Sequence, residues 1–212
     1  NLIKHNGNLS LNNNDEIIYT HSDKTSLPIK RKLKLDAAFG KLCGYYLSEG
    51  SISGGESLAF CLHKKEKETI VVELIDIMKS IFGITHYKIN EKENYNGIIL
   101  GFYSRIICLV LEELCGKFAS QKYFHTILLN ANREFKENMI SSLFLGDGYI
   151  SKINDKFLVG SNYAPNTEIA ISLVNENIIQ NLFWILLNMG IISHYGFIDV
   201  ITANKKVKAG GI

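Results

Sequence analysis

The chain repeats itself, and that duplication restricts its fold more than any other feature. Two nonapeptides, Leu42-Cys43-Gly44-Tyr45-Tyr46-Leu47-Ser48-Glu49-Gly50 and Ile140-Ser141-Ser142-Leu143-Phe144-Leu145-Gly146-Asp147-Gly148, each end in an acid and a glycine, and Asp147 follows Glu49 by 98 residues. A short strand-like segment comes next in both, Ser51-Ile52-Ser53 and Tyr149-Ile150-Ser151. Further on, an amphipathic pattern recurs at an offset of 108: Ile70, Leu74, Ile77, Met78 and Ile81 become Ile178, Leu182, Ile185, Leu186 and Met189. The extra ten residues of the second copy fit the polar stretch Asn154 to Asn166, where Gly160, Asn162 and Pro165 are turn formers. Gly83-Ile84-Thr85-His86-Tyr87 and Gly190-Ile191-Ile192-Ser193-His194-Tyr195 then close each helix alike. A repeat of this length is one supersecondary unit used twice. The pattern predicts an α+β fold of two αββαββα copies.

Local signals set the expected elements. Leu35, Phe39, Leu42, Cys43, Tyr46 and Leu47 recur at helical spacing, with Asp36 in the first turn and Gly50 as the stop. Residues 51–62 alternate around Gly54-Gly55, as two strands and a turn would. A helix is expected from Glu66 to Phe82, a second hairpin from His86 to Phe102 with its turn near residues 93–97, and a helix from Ser104 to Cys115 closed by Gly116. The expected organisation is a basic, polar leader over 1–34 with one hairpin, a first repeat with its linker over 35–132, and a second repeat over 133–212. In the register of the first copy, the second is short by about one helix.

Composition narrows the class. With 46% apolar and 21% charged residues, the chain is a folded globular protein and not a disordered one. The longest apolar runs, Ile106 to Leu111 and Leu182 to Leu187, have six residues each, against about 20 for a membrane span. No membrane helix or secretory signal is expected, which favours a cytoplasmic location or another reducing compartment, organelles included. Cys43, Cys61, Cys108 and Cys115 are irregularly spaced without a Cys-x-x-Cys, and are expected to be buried thiols. Net charge is only +2, yet Lys24 to Leu35 holds five bases and no acid, and Val200 to Ile212 three lysines and no acid. Such blocks either steer a protein to phosphates or form a solvated basic surface.

The nonapeptides carry the chemistry. Gly44 and Ser48 lie four residues apart on one helix face, as do Ser142 and Gly146 on the other. Faces this small let two helices pack backbone against backbone, closer than the usual 8–10 Å or so between axes. Glu49 and Asp147 would then sit side by side at the negative ends of both helix dipoles, a pairing that favours a bound divalent cation with oxygen ligands.

Both nonapeptides resemble the LAGLIDADG (dodecapeptide) signature of homing endonucleases. Leu42, Gly44, Glu49 and Gly50 match the first motif, and Asp147 and Gly148 anchor the second. The stretch Tyr45 to Gly50 is similar to the form found in intein-embedded enzymes, where Glu often replaces Asp, and the likeness covers about residues 33 to 200. The resemblance implies a pseudo-twofold monomer whose motif helices, through Gly44, Ser48, Ser142 and Gly146, form the seam, with two four-stranded antiparallel sheets as a saddle over double-stranded DNA with a long recognition site. It implies site-specific, metal-dependent hydrolysis of phosphodiesters across the minor groove, with Mg²⁺ or Mn²⁺ held by Glu49, Asp147 and the backbone of Gly50 and Gly148. Strand residues His63, Lys64, Lys88, Asn90, Lys92, Lys152 and Lys156 are the candidate base and phosphate contacts, although each also suits a solvated face. Lys122-Tyr123-Phe124-His125 is similar to the family segment Lys-x-Ile-Pro, which carries an active-site lysine, with His125 in place of the proline. No splicing residues are recognisable: the first residue is Asn, and the last two are not His-Asn.

Two other functions fit the same scaffold. An RNA maturase, or a DNA-binding protein that has lost cleavage, would keep the sheets without needing both acids. A duplicated structural domain would show no salt-dependent binding to nucleic acid.

Overall fold

The computed structural model describes residues 9–11, 17–20, 29–30, 32–91, 96–152 and 167–196. Among these, the leader forms a three-stranded antiparallel sheet, β1 (Leu9–Leu11), β2 (Ile17–Thr20) and β3 (Ile29–Lys30), one strand more than the expected hairpin. α1 (Ala37–Glu49) follows, and Asp36 is its N-cap: the carboxylate accepts from the Phe39 N–H at 3.1 Å, satisfying an amide the helix cannot pair internally.

β4 (Gly50–Ser53) and β5 (Ser57–His63) form the hairpin expected around Gly54-Gly55. Both glycines have positive φ, +61° and +72°, which a tight two-strand turn needs and only glycine adopts freely. The helix expected from Glu66 begins later. A 3-10 turn (Lys64–Glu66) and a π-helical turn (Lys67–Val71) precede α2 (Val72–Phe82), because a capping box at His63 fixes the entry: its ring Nδ1 accepts from Lys65 N–H at 3.0 Å and Glu66 returns a carboxylate to His63 N–H at 2.7 Å. β6 (Lys88–Glu91), β7 (Gly97–Tyr103) and α3 (Arg105–Cys115) complete the first repeat, and the sheet order is β4-β5-β7-β6, all antiparallel.

Alternation sorts this sheet. Leu58, Phe60, Leu62, Ile98, Leu100 and Phe102 face the core, while Cys61, His63, Ile99 and Tyr103 are exposed on the other side. Cys61 is thus not the buried thiol expected: it falls on the odd positions of β5, whereas Cys43, Cys108 and Cys115 are buried. Against the inner face lies α1, buried along most of its length, with Phe39 in edge contact with Phe82 and tilted against Phe135.

The linker is structured, with a 3-10 turn at Ala119–Gln121 and a short α4 (Thr126–Leu129). α5 (Arg133–Asp147), capped by Asn132, starts the second copy, followed by β8 (Gly148–Lys152) and β9 (Thr167–Ile171), paired antiparallel, and by α6 (Glu176–Asn188). Ile178, Leu182 and Ile185 are buried, as are Ile70, Leu74 and Ile77 in the first copy. Of the two four-stranded sheets expected, the first is complete, and the described residues of the second copy hold β8 and β9. The connection over 153–166 and the segment after residue 196 lie outside the described residues. Among the described residues, no helix is long and apolar enough to cross a membrane.

Candidate functional site

α1 and α5 cross on their smallest residues. A Cβ on Gly44 would overlap the Met139 carbonyl oxygen and come within 2.8 Å of Ser142 Cβ and 3.0 Å of Leu143 N. One on Gly146 would overlap Ser48 Oγ and lie 2.5 Å from its Cβ. Gly40 extends the stripe one turn back, where a Cβ would collide with the Phe135 carbonyl. Gly40, Gly44 and Ser48 thus form a helical i, i+4, i+8 row, and the sequence reading found its last two members. Ser48 Oγ turns inward, donating to Gly44 O and Tyr45 O at 3.3 Å each, which keeps a polar atom at the seam satisfied.

Each helix ends in its acid, and the chain leaves at once as a strand. Gly50 and Gly148 carry ordinary extended backbone, φ −81° and −83°. They are needed for space and not for a left-handed turn: a Cβ on Gly50 would sit 2.6 Å from Tyr46 Cα, and one on Gly148 3.0 Å from Phe144 Cα. The crossing brings Glu49 and Asp147 within electrostatic reach of each other. Burial, then the negative charge of Asp147, pushes the Glu49 carboxyl up to about 6. Burial also raises Asp147, offset in part by Lys122.

Lys122 is the third member of the group. Its side chain is buried, and its ammonium donates to Tyr46 O at 2.8 Å, Leu47 O at 3.0 Å and Gly50 O at 2.8 Å. It also lies 5.1 Å over the Tyr46 ring. Burial pulls its pKa below the usual lysine range, while Asp147, Cys115 and Glu49 pull the other way. The segment around it is tied to α1 and to the end of α3: Tyr46 OH donates to Gly116 O at 2.7 Å, and Tyr123 N–H donates to Cys115 O at 3.0 Å. His125, in the place of the family proline, holds a proline-like φ of −60°, but its N–H donates to Leu114 O at 2.9 Å, a bond proline cannot make.

Two half-buried carboxylates with raised pKa values suit a hard divalent ion with oxygen ligands. Among the described residues no third His, Cys, Asp or Glu completes a protein-only metal cage, so such an ion would keep open positions. The Gly50 carbonyl already accepts from Lys122, and a carbonyl oxygen has two lone pairs.

The remaining expected residues are spread over the sheets. His63, Lys88 and Asn90 are exposed on the first sheet, though the His63 Nδ1 is used in the capping box. Lys64 is half-buried in the 3-10 turn, its N–H bonded to Asn96 O at 2.8 Å. Lys152 is the last residue of β8, opposite Thr167. Lys92 and Lys156 lie outside the described residues.

Sequence reasoning missed a second polar cluster, on the flank of α1. Lys41 Nζ and Tyr45 OH both donate to Glu73 of α2, the latter at 2.5 Å. Burial raises Glu73, but these two bonds outweigh it and hold the carboxyl below its usual range. The signal that could have found the cluster is the helical spacing of Lys41 and Tyr45, which share one face (i, i+4), but nothing local points to Glu73. Asn175 was missed as well, although an Asn just before an amphipathic run is a recognisable cap signal: its Oδ1 accepts from Asn177 N–H at 3.0 Å and Ile178 N–H at 3.4 Å.

The fold has solved counterparts. A variant of I-DmoI, a LAGLIDADG homing endonuclease, in complex with its target DNA and in the presence of manganese, superposes with a TM-score of 0.55 at 12% identity, covering 79% of this chain and 84% of that one. The chain therefore has the α+β fold of LAGLIDADG endonucleases. By sequence it is 28% identical over 184 residues to an uncharacterized protein of Methanocaldococcus jannaschii, and 26% identical over 167 residues to the DNA polymerase of Thermococcus litoralis. These matches take in 81% and 76% of this chain but only 19% and 8% of the relatives, so it corresponds to a small part of each. No protein-family model matches the chain.

Proposed function

We propose that the chain is a site-specific, metal-dependent DNA endonuclease that cuts both strands across the minor groove. One observation carries the reading: α1 and α5 cross on small residues and deliver Glu49 and Asp147, both half-buried with raised pKa values, to one place on this fold. Burying two acids together is unfavourable without a cation, and a binding protein has no use for that cost opposite a phosphate backbone.

Glu49 and Asp147 would hold Mg²⁺ or Mn²⁺, with the Gly50 and Gly148 carbonyls as candidate further oxygen ligands. The ion supplies Lewis-acid polarisation of the phosphate and a more acidic water. The rest falls to the chain. Lys122 keeps the α1 carboxylate in place and offsets the negative end of the helix dipole. The exposed row on β5, β6 and β7, with His63, Lys88 and Asn90, contacts base edges and phosphates, joined by Lys64, Lys92, Lys152 and Lys156. Both acids come from one chain, so a monomer holds the full pair. The likeness to short parts of long proteins, one of them a DNA polymerase, supports an intein-embedded origin.

The test is a nicking and cleavage assay on a library of duplexes with Mg²⁺, Mn²⁺ or a chelator. Metal-dependent cutting at one site, and log affinity falling linearly with log salt with a slope of magnitude about 5 or more, are expected. Tight salt-dependent binding with no cutting under any metal would replace this reading with the cleavage-deficient binder or the RNA maturase.

A further inference from the structure

We infer that Lys122 and Asn175 form a two-link strap through which the second repeat positions the end of the first motif helix, and that Asn175 is a positioning residue for Glu49. The last carbonyls of an α-helix have no partners within the helix. At the end of α1 one ammonium donates to Leu47 O at 3.0 Å, to Tyr46 O at 2.8 Å beside the Gly50 N–H that also reaches it, and to Gly50 O of the following strand at 2.8 Å. An ammonium has three protons, so none is left for a phosphate or a water. Lys122 therefore acts on the backbone that flanks Glu49 and not on the reacting atoms.

The second link holds the first. Asn175 Nδ2 donates to the Lys122 carbonyl at 2.6 Å, and the Asn175 side chain is almost wholly buried. Its other end is committed too, because Oδ1 caps α6. One amide thus joins the first turn of α6, in the second repeat, to the linker lysine, and the lysine joins the linker to the end of α1. Ser and Asp cap a helix as well as Asn does, but Asp has no donor to offer a carbonyl. Only an amide makes both contacts in this geometry, so the donor can be removed while the cap stays.

The decisive variant is Asn175→Asp in the full chain, with Asn175→Ser as the uncharged second variant and Lys122→Met as the reference for a lost strap. Retention of the cap is checked by unchanged hydrogen exchange at the Asn177 and Ile178 amides, the two that it accepts from. Hydrogen exchange at the α1 end, residues 47–50, is expected to quicken about tenfold as local opening becomes easier, with α2 unaffected, and Lys122→Met should give the same footprint, larger. The cleavage arm rests on the endonuclease reading: single-turnover cutting should slow about tenfold through misplacement while DNA affinity holds. Wild-type exchange at the α1 end in both Asn175 variants overturns the strap. Faster exchange with wild-type cleavage overturns the positioning role. Faster exchange in a chain whose wild type cuts no duplex leaves the strap standing and removes the endonuclease reading instead.

Discussion

The two motif helices carry the same acid-glycine ending and are supported in opposite ways. α1 is buried from Phe39 to Leu47 with the exception of Lys41, and its end is gripped by Lys122. α5 buries one face only, through Phe135, Met139, Ile140, Ser142 and Leu143, and Leu145, two residues before its acid, stands exposed. Both last turns close with the same backbone bond, Gly50 N–H to Tyr46 O in α1 and Gly148 N–H to Phe144 O in α5, and the lysine is an addition at the first. A duplicated motif therefore does not mean a duplicated environment. Both acids are half-buried, but the first ends a helix enclosed on nearly every side, and the second ends a helix that gives one face to the core and the other to solvent.

The helix crossing offers the largest effect. Gly44→Ala drives a methyl into the backbone of α5 at Met139, which cannot step aside, and should cost about 3 kcal/mol or more in urea unfolding. Gly146→Ala meets the Ser48 side chain instead and should cost about 2 kcal/mol. The two then diverge: adding Ser48→Gly should recover most of the Gly146→Ala loss, less about 1 kcal/mol for a helical glycine, while adding Ser142→Gly should recover little of the Gly44→Ala loss. Equal rescue in both pairs would mean the seam is symmetric after all.

Next come the acids. On the endonuclease reading, Glu49→Gln or Asp147→Asn should lower cleavage at least about a hundredfold while DNA affinity holds or rises, since each would remove a metal ligand and also repulsion toward phosphate. In the absence of metal either loss should leave the fold firmer, because burial raises both carboxyls and their mutual repulsion is relieved whichever charge is removed. Full activity of either variant on the cognate site would sink the assignment.

How far the sequence goes is clearest at particular residues. Helix ends, the Gly54-Gly55 turn and the seam residues Gly44, Ser48, Ser142 and Gly146 were legible, because turn chemistry, capping and small-residue spacing are local. Gly40 escaped because a lone glycine in a helix looks like a mild defect until the partner backbone is seen. The exposure of Cys61 needed the strand's phase, which Gly54-Gly55 and the core-facing Phe60 set together. Lys122 was picked out by likeness to a family segment, but its three carbonyl partners lie 72 to 76 residues away and are a tertiary fact.

That segment gives a smaller test. His125→Pro restores the family residue at a φ proline accepts, yet removes the N–H bond to Leu114 O and the ring cap on Ile127 N–H, 3.1 Å. A net loss of about 1–2 kcal/mol is expected. A stabilised variant would show that the two bonds contribute less than the stiffened chain returns.

The smallest effect concerns pH in the absence of divalent ions. Burial and then Asp147 raise Glu49 from 4.5 to about 6, so the folded chain binds more protons than the unfolded one between those values. Stability from this group is therefore present at low pH and lost as pH rises through the folded value, the reverse of a salt-bridged carboxylate. Asp147, also raised by burial, acts in the same direction. Glu49 is only part-buried, and solvent screening damps the effect. In chelator, Glu49→Gln should melt higher than wild type at pH 7.5 and show a smaller advantage at pH 5. A gap that stays constant between those two pH values would mean that Glu49 does not titrate there, and that the buried end of α1 carries no more charge strain than the open end of α5.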